Sequence, residues 1–126
     1  MKRRHFFLSA VFFVFALAAS PRAYSAELIM FQAKGCTYCQ RWHEEIGIIY
    51  DKTDEAQVLP IRMVDIDDPR PENLKPIKGI IYTPTFVVWD QGREVGRIIG
   101  YSGEEFFWPF LGEIIKKIEP KVVNGS

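Results

Sequence analysis

The sequence predicts an α/β fold, a four-stranded mixed sheet flanked by helices. Three observations carry that prediction. Apolar or β-rich runs alternate with helical periodicities in the order strand, helix, strand, short helix, strand, hairpin, strand, helix. A helical crossover separates the first two strands, which makes them parallel, and a tight turn separates the last two, which makes them antiparallel. The only two cysteines, Cys36 and Cys39, stand where the first strand gives way to the first helix. A chain of 126 residues holds one such domain at most once its N-terminus is set aside.

That N-terminus reads as a targeting segment. Lys2, Arg3 and Arg4 precede an apolar run over 6–19, Ser20-Pro21 breaks it, and Ala23 and Ser25 supply the small residues of a cleavage site. Residues 1–25 are therefore expected to be a cleaved secretory signal, 26–120 the domain and 121–126 a tail. The alternative is an uncleaved anchor, for which the apolar run falls short of the roughly 20 residues a spanning helix needs. Residues 1–25 take Lys2, Arg3, Arg4 and Arg22 and no acid, leaving twelve basic against sixteen acidic residues, net −4. That balance argues against a nucleic-acid partner, which would want a basic patch.

An exported chain meets an oxidising compartment, where paired cysteines usually serve as staples. Here the spacing speaks against a staple, because stabilisation grows with the loop closed and this loop holds two residues. A thiol at the first turn of a helix faces unpaired N–H groups and the positive end of the helix dipole, both of which favour thiolate. Cys39, one turn on, lies on the same side of the helix, so the two sulfurs can close a disulfide and open it again.

The elements follow in order. Residues 26–33 form an apolar run too short for a helix and suited to a buried strand. After Lys34-Gly35 the cysteine helix carries Trp42, Ile46, Ile49 and Tyr50 at helical spacing, expected in the core. Arg41 and Glu45 make an i,i+4 pair. Gly47 weakens this helix by about 1 kcal/mol relative to Ala and marks either a close contact or an early end. Residues 51–57 read as a polar connection, and 60–66 as the second strand. Asp67-Asp68-Pro69 is a helix-start signal for a short helix interrupted by Pro71 and Pro76. Asp65, Asp67 and Asp68 read as strand edge and cap, with an acid–base cluster as the alternative.

Residues 86–89 are rich in β-branched and aromatic side chains and form the third strand, with Pro84 at its beginning. Asp90-Gln91-Gly92 is the hairpin turn and 93–99 the returning strand. Ser102 and Glu105 have capping-box spacing, and Phe107, Phe110, Leu111, Ile114, Ile115 and Ile118 make an apolar stripe on the last helix. Pro109 is expected to kink it and Pro120 to end it.

Cys-x-x-Cys after the first strand, with Thr83-Pro84-Thr85 before the third, Gly92 and Gly100, resembles the thioredoxin family over residues 27–118. The handful of residues before the active site is closest to the family's minimal fold. More narrowly, the stretches 35–43, 83–86 and 100–108 resemble one branch of it, the periplasmic thioredoxins of bacterial thiosulfate-oxidising systems. The resemblance implies Cys36 as the attacking thiol, Cys39 as the resolving thiol and Pro84 as a cis-proline. It implies a partner groove in which Tyr38, Tyr82, Thr83, Pro84 and Gly100 meet the substrate. One departure stands out: Met30 occupies the position where thioredoxins place a buried Asp, so the resolving step uses water, another group or no special acceptor; His43 reads as a solvent-facing helix histidine, with a proton shuttle as the alternative.

The implied activity is thiol–disulfide exchange without a cofactor, in the periplasm, by a monomer. The implied partners are a protein disulfide, expected on a sulfur carrier, and a membrane thiol carrier as electron donor. The rivals are a general periplasmic disulfide oxidase or isomerase, a metal-binding module using Cys36, Cys39 and His43, and a non-catalytic adaptor.

Overall fold

The computed structural model describes residues 26–118. The expected signal and tail lie outside the described residues. Four strands, β1 (Ala26–Gln32), β2 (Ile61–Asp65), β3 (Thr85–Asp90) and β4 (Arg93–Ile99), form one sheet in the order β2-β1-β3-β4. β1 and β2 are parallel, and β3 runs antiparallel to both β1 and β4. The hairpin turn is tight: Asp90 pairs with Arg93, and Gln91 and Gly92 both take positive φ (51° and 75°). That pair of left-handed residues matches the right-handed twist of the flanking strands.

β1 and β3 are apolar along nearly their whole length because both of their faces are covered. On one face Leu28, Met30, Phe86 and Val88 pack against Trp42, Ile46, Tyr50, Phe107 and Leu111. On the other, Ile29, Phe31, Val87 and Trp89 pack against Val64, Leu74 and Ile77. Each large side chain so buried contributes about 1.5–3 kcal/mol of transfer free energy. The first face is covered by helices, α1 (Thr37–Trp42), α2 (Ile48–Tyr50), α3 (Asp54–Val58) and α4 (Glu104–Lys116). Among the described residues the helical cover of the second face is a single 3-10 turn, Glu72–Leu74.

Several local expectations change. A π-helical stretch, His43–Gly47, joins α1 to α2. Its wider turn carries Ile46 and Tyr50 to the core four residues apart and leaves Ile49 exposed. Gly47 is a close-contact glycine: a Cβ there would sit 3.2 Å from the Trp42 ring. The expected connection 51–57 is largely taken up by α3, which runs on to Val58 and is started by Thr53, whose side chain accepts the Ala56 N–H. No helix begins at Pro69; the Asp65 carboxylate instead accepts the Asp67 N–H in a turn, and the chain stays irregular until residue 72. Ser102 does not cap α4, because Gly103, at φ 112°, holds the N-cap position without a side-chain bond. α4 runs on through Pro109, and Phe110 lies outside its buried stripe.

Candidate active site

The end of the sheet that receives the C-termini of β1 and β4 and the N-terminus of β3 assembles the site. β1 ends at Gln32, the chain turns through Lys34 and Gly35 (φ 74°), and Cys36 opens α1. Cys36 is the N-cap, with extended backbone, and its Sγ accepts the Cys39 N–H at 3.1 Å. The two sulfurs are joined in a disulfide of 2.08 Å, with Cα atoms 5.2 Å apart. Cys36 is half-buried, whereas Cys39 is 3% exposed and packs in the core cluster that holds Met30, Trp42 and Phe86. The pair is thus asymmetric, Cys36 the more exposed sulfur and Cys39 the more enclosed. A thiol at such a helix start faces the unpaired N–H groups and the helix field that favour thiolate.

The register of β3 brings the second motif to the same end. Phe31 pairs with Thr85, which pairs with Ile99, so Pro84 stands opposite the last residue of β1. The Thr83–Pro84 peptide is cis, Pro84 is buried, and its carbonyl accepts the Gly100 N–H at 2.7 Å. Tyr82 is exposed, its carbonyl held by the Thr85 hydroxyl at 2.6 Å. Tyr38, also exposed, shares an open cleft of about 410 Å³ with Arg41, Gly100, Tyr101 and Ser102. Cys36 and Cys39 also border a groove of about 510 Å³ on the side of Gln32, Lys34 and His43. Within it His43 Nε2 donates to Gln32 Oε1 at 2.7 Å.

The metal-module alternative needs both sulfurs and His43 as ligands. Both sulfurs are bonded to each other and His43 is engaged by Gln32. Among the described residues no group of three or more His, Cys, Asp or Glu side chains is arranged to hold a metal ion.

One group at the site is not visible in sequence spacing. Glu45 receives Arg41 Nε at 2.7 Å and the Tyr101 hydroxyl at 2.5 Å, and the Arg41 guanidinium lies over the Tyr101 ring. The Tyr101 hydroxyl, then Arg41, hold the Glu45 carboxyl below its ordinary pKa. Burial, and then the bond to Glu45, raise that of Tyr101. The i,i+4 spacing signals Arg41 with Glu45; nothing local signals Tyr101.

A thioredoxin-like domain family matches residues 16–115 of the chain. The structure resembles the periplasmic thioredoxin SoxS from Paracoccus pantotrophus in its reduced form, at 41% identity and TM-score 0.66, covering 74% of this chain and 98% of that one. It shares its fold with a thioredoxin-fold protein from Helicobacter pylori (21% identity, TM-score 0.56, 70% of this chain and 67% of that one). It also does so with the thioredoxin of Malassezia sympodialis (21%, 0.55, 72% and 76%). No match is found among curated proteins.

Proposed function

The chain belongs to the thioredoxin-like family and is a thiol–disulfide oxidoreductase, and from that premise we propose that it works in the periplasm as a reductase of a protein disulfide. The observation that carries the reading is the asymmetry of the cysteine pair, Cys36 reachable at the start of α1 and Cys39 buried behind it. The exported location draws on the basic, apolar and small-residue order of residues 1–25 and on the periplasmic relative. A partner in sulfur oxidation follows from the narrower resemblance of 35–43, 83–86 and 100–108.

Cys36 thiolate attacks one sulfur of the partner disulfide. The partner S–S bond breaks, its other sulfur leaves as a thiolate and takes a proton, and Cys36 becomes joined to the partner. Cys39, deprotonated, attacks Cys36 Sγ. The mixed disulfide breaks, the partner's second thiolate departs, and the Cys36–Cys39 disulfide forms; two electrons have passed to the partner. Cys39 shares a core cluster with Met30, which stands where the family carries a carboxylate, and also borders the groove of Gln32 and His43, so its proton leaves toward that groove. The backbone of Thr83 and the side chains of Tyr38 and Tyr82 hold the partner, with Pro84 and Gly100 shaping the cleft. A membrane thiol carrier returns the domain to the dithiol, since the periplasm is kept oxidising.

The test is Cys39→Ser in the cell of origin. Loss of the resolving thiol stops exchange at the mixed disulfide, and a sulfur-carrier protein linked to Cys36 is the expected capture. Capture of many unrelated secreted proteins would replace this reading with a general oxidase or isomerase.

A further inference from the structure

The cleft beside Tyr38 does not end at Ser102. Gly100, Tyr101 and Ser102 line it on one side and also line a second depression that runs on to Ile99, Phe106 and Phe110. Phe106 and Phe110, one turn apart on α4, stack with ring centres 6.4 Å apart. They are 48% and 52% exposed, and Ile99, at the end of edge strand β4, is 61% exposed. The buried stripe of α4 is complete without them, in Phe107, Leu111, Ile114 and Ile115. Single exposed apolar residues are ordinary; a cluster of them bordering a depression that shares its lining with the Tyr38 cleft points to a binding site.

We propose that this surface is a docking site for the substrate protein, seating an extended apolar segment that flanks the cysteine under attack. The inference rests on the reading of the domain as a protein-disulfide reductase and adds where its selectivity comes from. The cleft at Tyr38 and Gly100 takes the reacting cysteine and its neighbours. The aromatic pair takes apolar side chains further along the same segment, side chains that a small disulfide lacks. Continuity of the two depressions through Gly100–Ser102 is what assigns the occupant. A segment held at Cys36 and leading away past Gly100 arrives at Phe106 and Phe110.

The experiment uses the full chain and three substrates: bis(2-hydroxyethyl) disulfide, a disulfide-dimerised peptide with Leu-Val-Leu several residues along from its cysteine, and its counterpart with Ser-Gly-Ser at the same positions. The wild type is expected to prefer the apolar peptide by about tenfold in kcat/KM, the effect of burying one such side chain. In the F106Q/F110Q double variant the preference is expected to fall to about unity, with unchanged reduction of the hydroxyethyl disulfide certifying an intact fold and active site. Equal wild-type rates on the two peptides, or a preference that survives in the variant, would overturn the proposal. So would a wild-type dimer in light scattering that the double variant makes monomeric with the preference unchanged, because the patch would then be covered by a second copy. If the wild type reduces none of the three, the reductase reading itself fails, and that result is distinguishable from all the others.

Discussion

Tyr101 and Glu45 are 56 residues apart in sequence and 2.5 Å apart in the fold. With Arg41 they tie the helix behind Cys36 to the segment that leaves β4, so they set the spacing of the two walls of the cleft. The pKa directions fix how this tie responds to pH. Glu45 is depressed, so its contribution is present above the ordinary carboxylate pKa of about 4.3 and is lost as pH falls through its lower folded value. Tyr101 is raised, so its contribution is present below the ordinary phenol value of about 10 and is lost as pH rises through its higher folded value. Tyr101→Phe should therefore lower Tm across the neutral range, and its gap to wild type should close in acid as Glu45 protonates. Thermal melts of both proteins from neutral to strongly acid pH check this; a gap that stays constant into acid would mean the bond is not to the carboxylate. At this scale the two cysteines were legible, because their spacing and helix-start position are local. The Glu45–Tyr101 bond was not, because it joins residues that only the assembled sheet brings together.

The elements were legible where a period repeats. β4 matches its expected bounds, and β1 differs by one residue, since alternation and flanking turns are encoded within the stretch itself. Expectations failed where two elements compete for the same residues. Phe110 fits the apolar period of α4, yet Phe107 and Leu111 already fill the space beneath the helix. The S-x-x-E spacing at Ser102 yields to Gly103, whose φ of 112° lets the chain turn from the end of β4 into α4. The contact between those two elements explains a second glycine. A Cβ on Gly96 would lie 3.0 Å and 3.1 Å from the Ile114 Cγ atoms. Strand propensity alone would favour valine at this position. Overpacking costs about 1–3 kcal/mol and outweighs it. Gly96→Val should therefore lower the urea midpoint without changing the slope of the transition. A rise in midpoint would show that α4 shifts freely on β4.

At the scale of the molecule, the sheet separates two unequal covers. The helical face has a period in sequence and could be anticipated; the other face is covered by a segment with Pro71 and Pro76 and no repeat, in which Leu74 and Ile77 happen to reach the core. That segment then leads into Tyr82, Thr83 and the cis Pro84 at the end of the sheet where β1 hands over to the cysteine helix, so its anchoring bears on the proposed partner groove. It is held in two ways. Ile77 is buried, and the Arg70 guanidinium binds its carbonyl at 2.6 Å while lying over the Phe31 ring. From β4, Arg97 donates to the carbonyls of Lys78 at 2.9 Å and Gly79 at 3.3 Å. The two anchors should fail differently. Ile77→Val removes a methyl from the core and should lower global stability by about 0.5–1.5 kcal/mol. Arg97→Ala frees carbonyls that water can satisfy, so global stability should change little while residues 78–83 open locally. Amide hydrogen exchange read alongside denaturation separates the two. The alanine variant should exchange faster over 78–83 at a nearly unchanged unfolding midpoint, and should lose turnover on a protein disulfide while keeping it on a small one. A fall in midpoint with no local change in exchange would mean that the segment opens only when the whole sheet does, and that the approach to Pro84 is as rigid as the core beneath it.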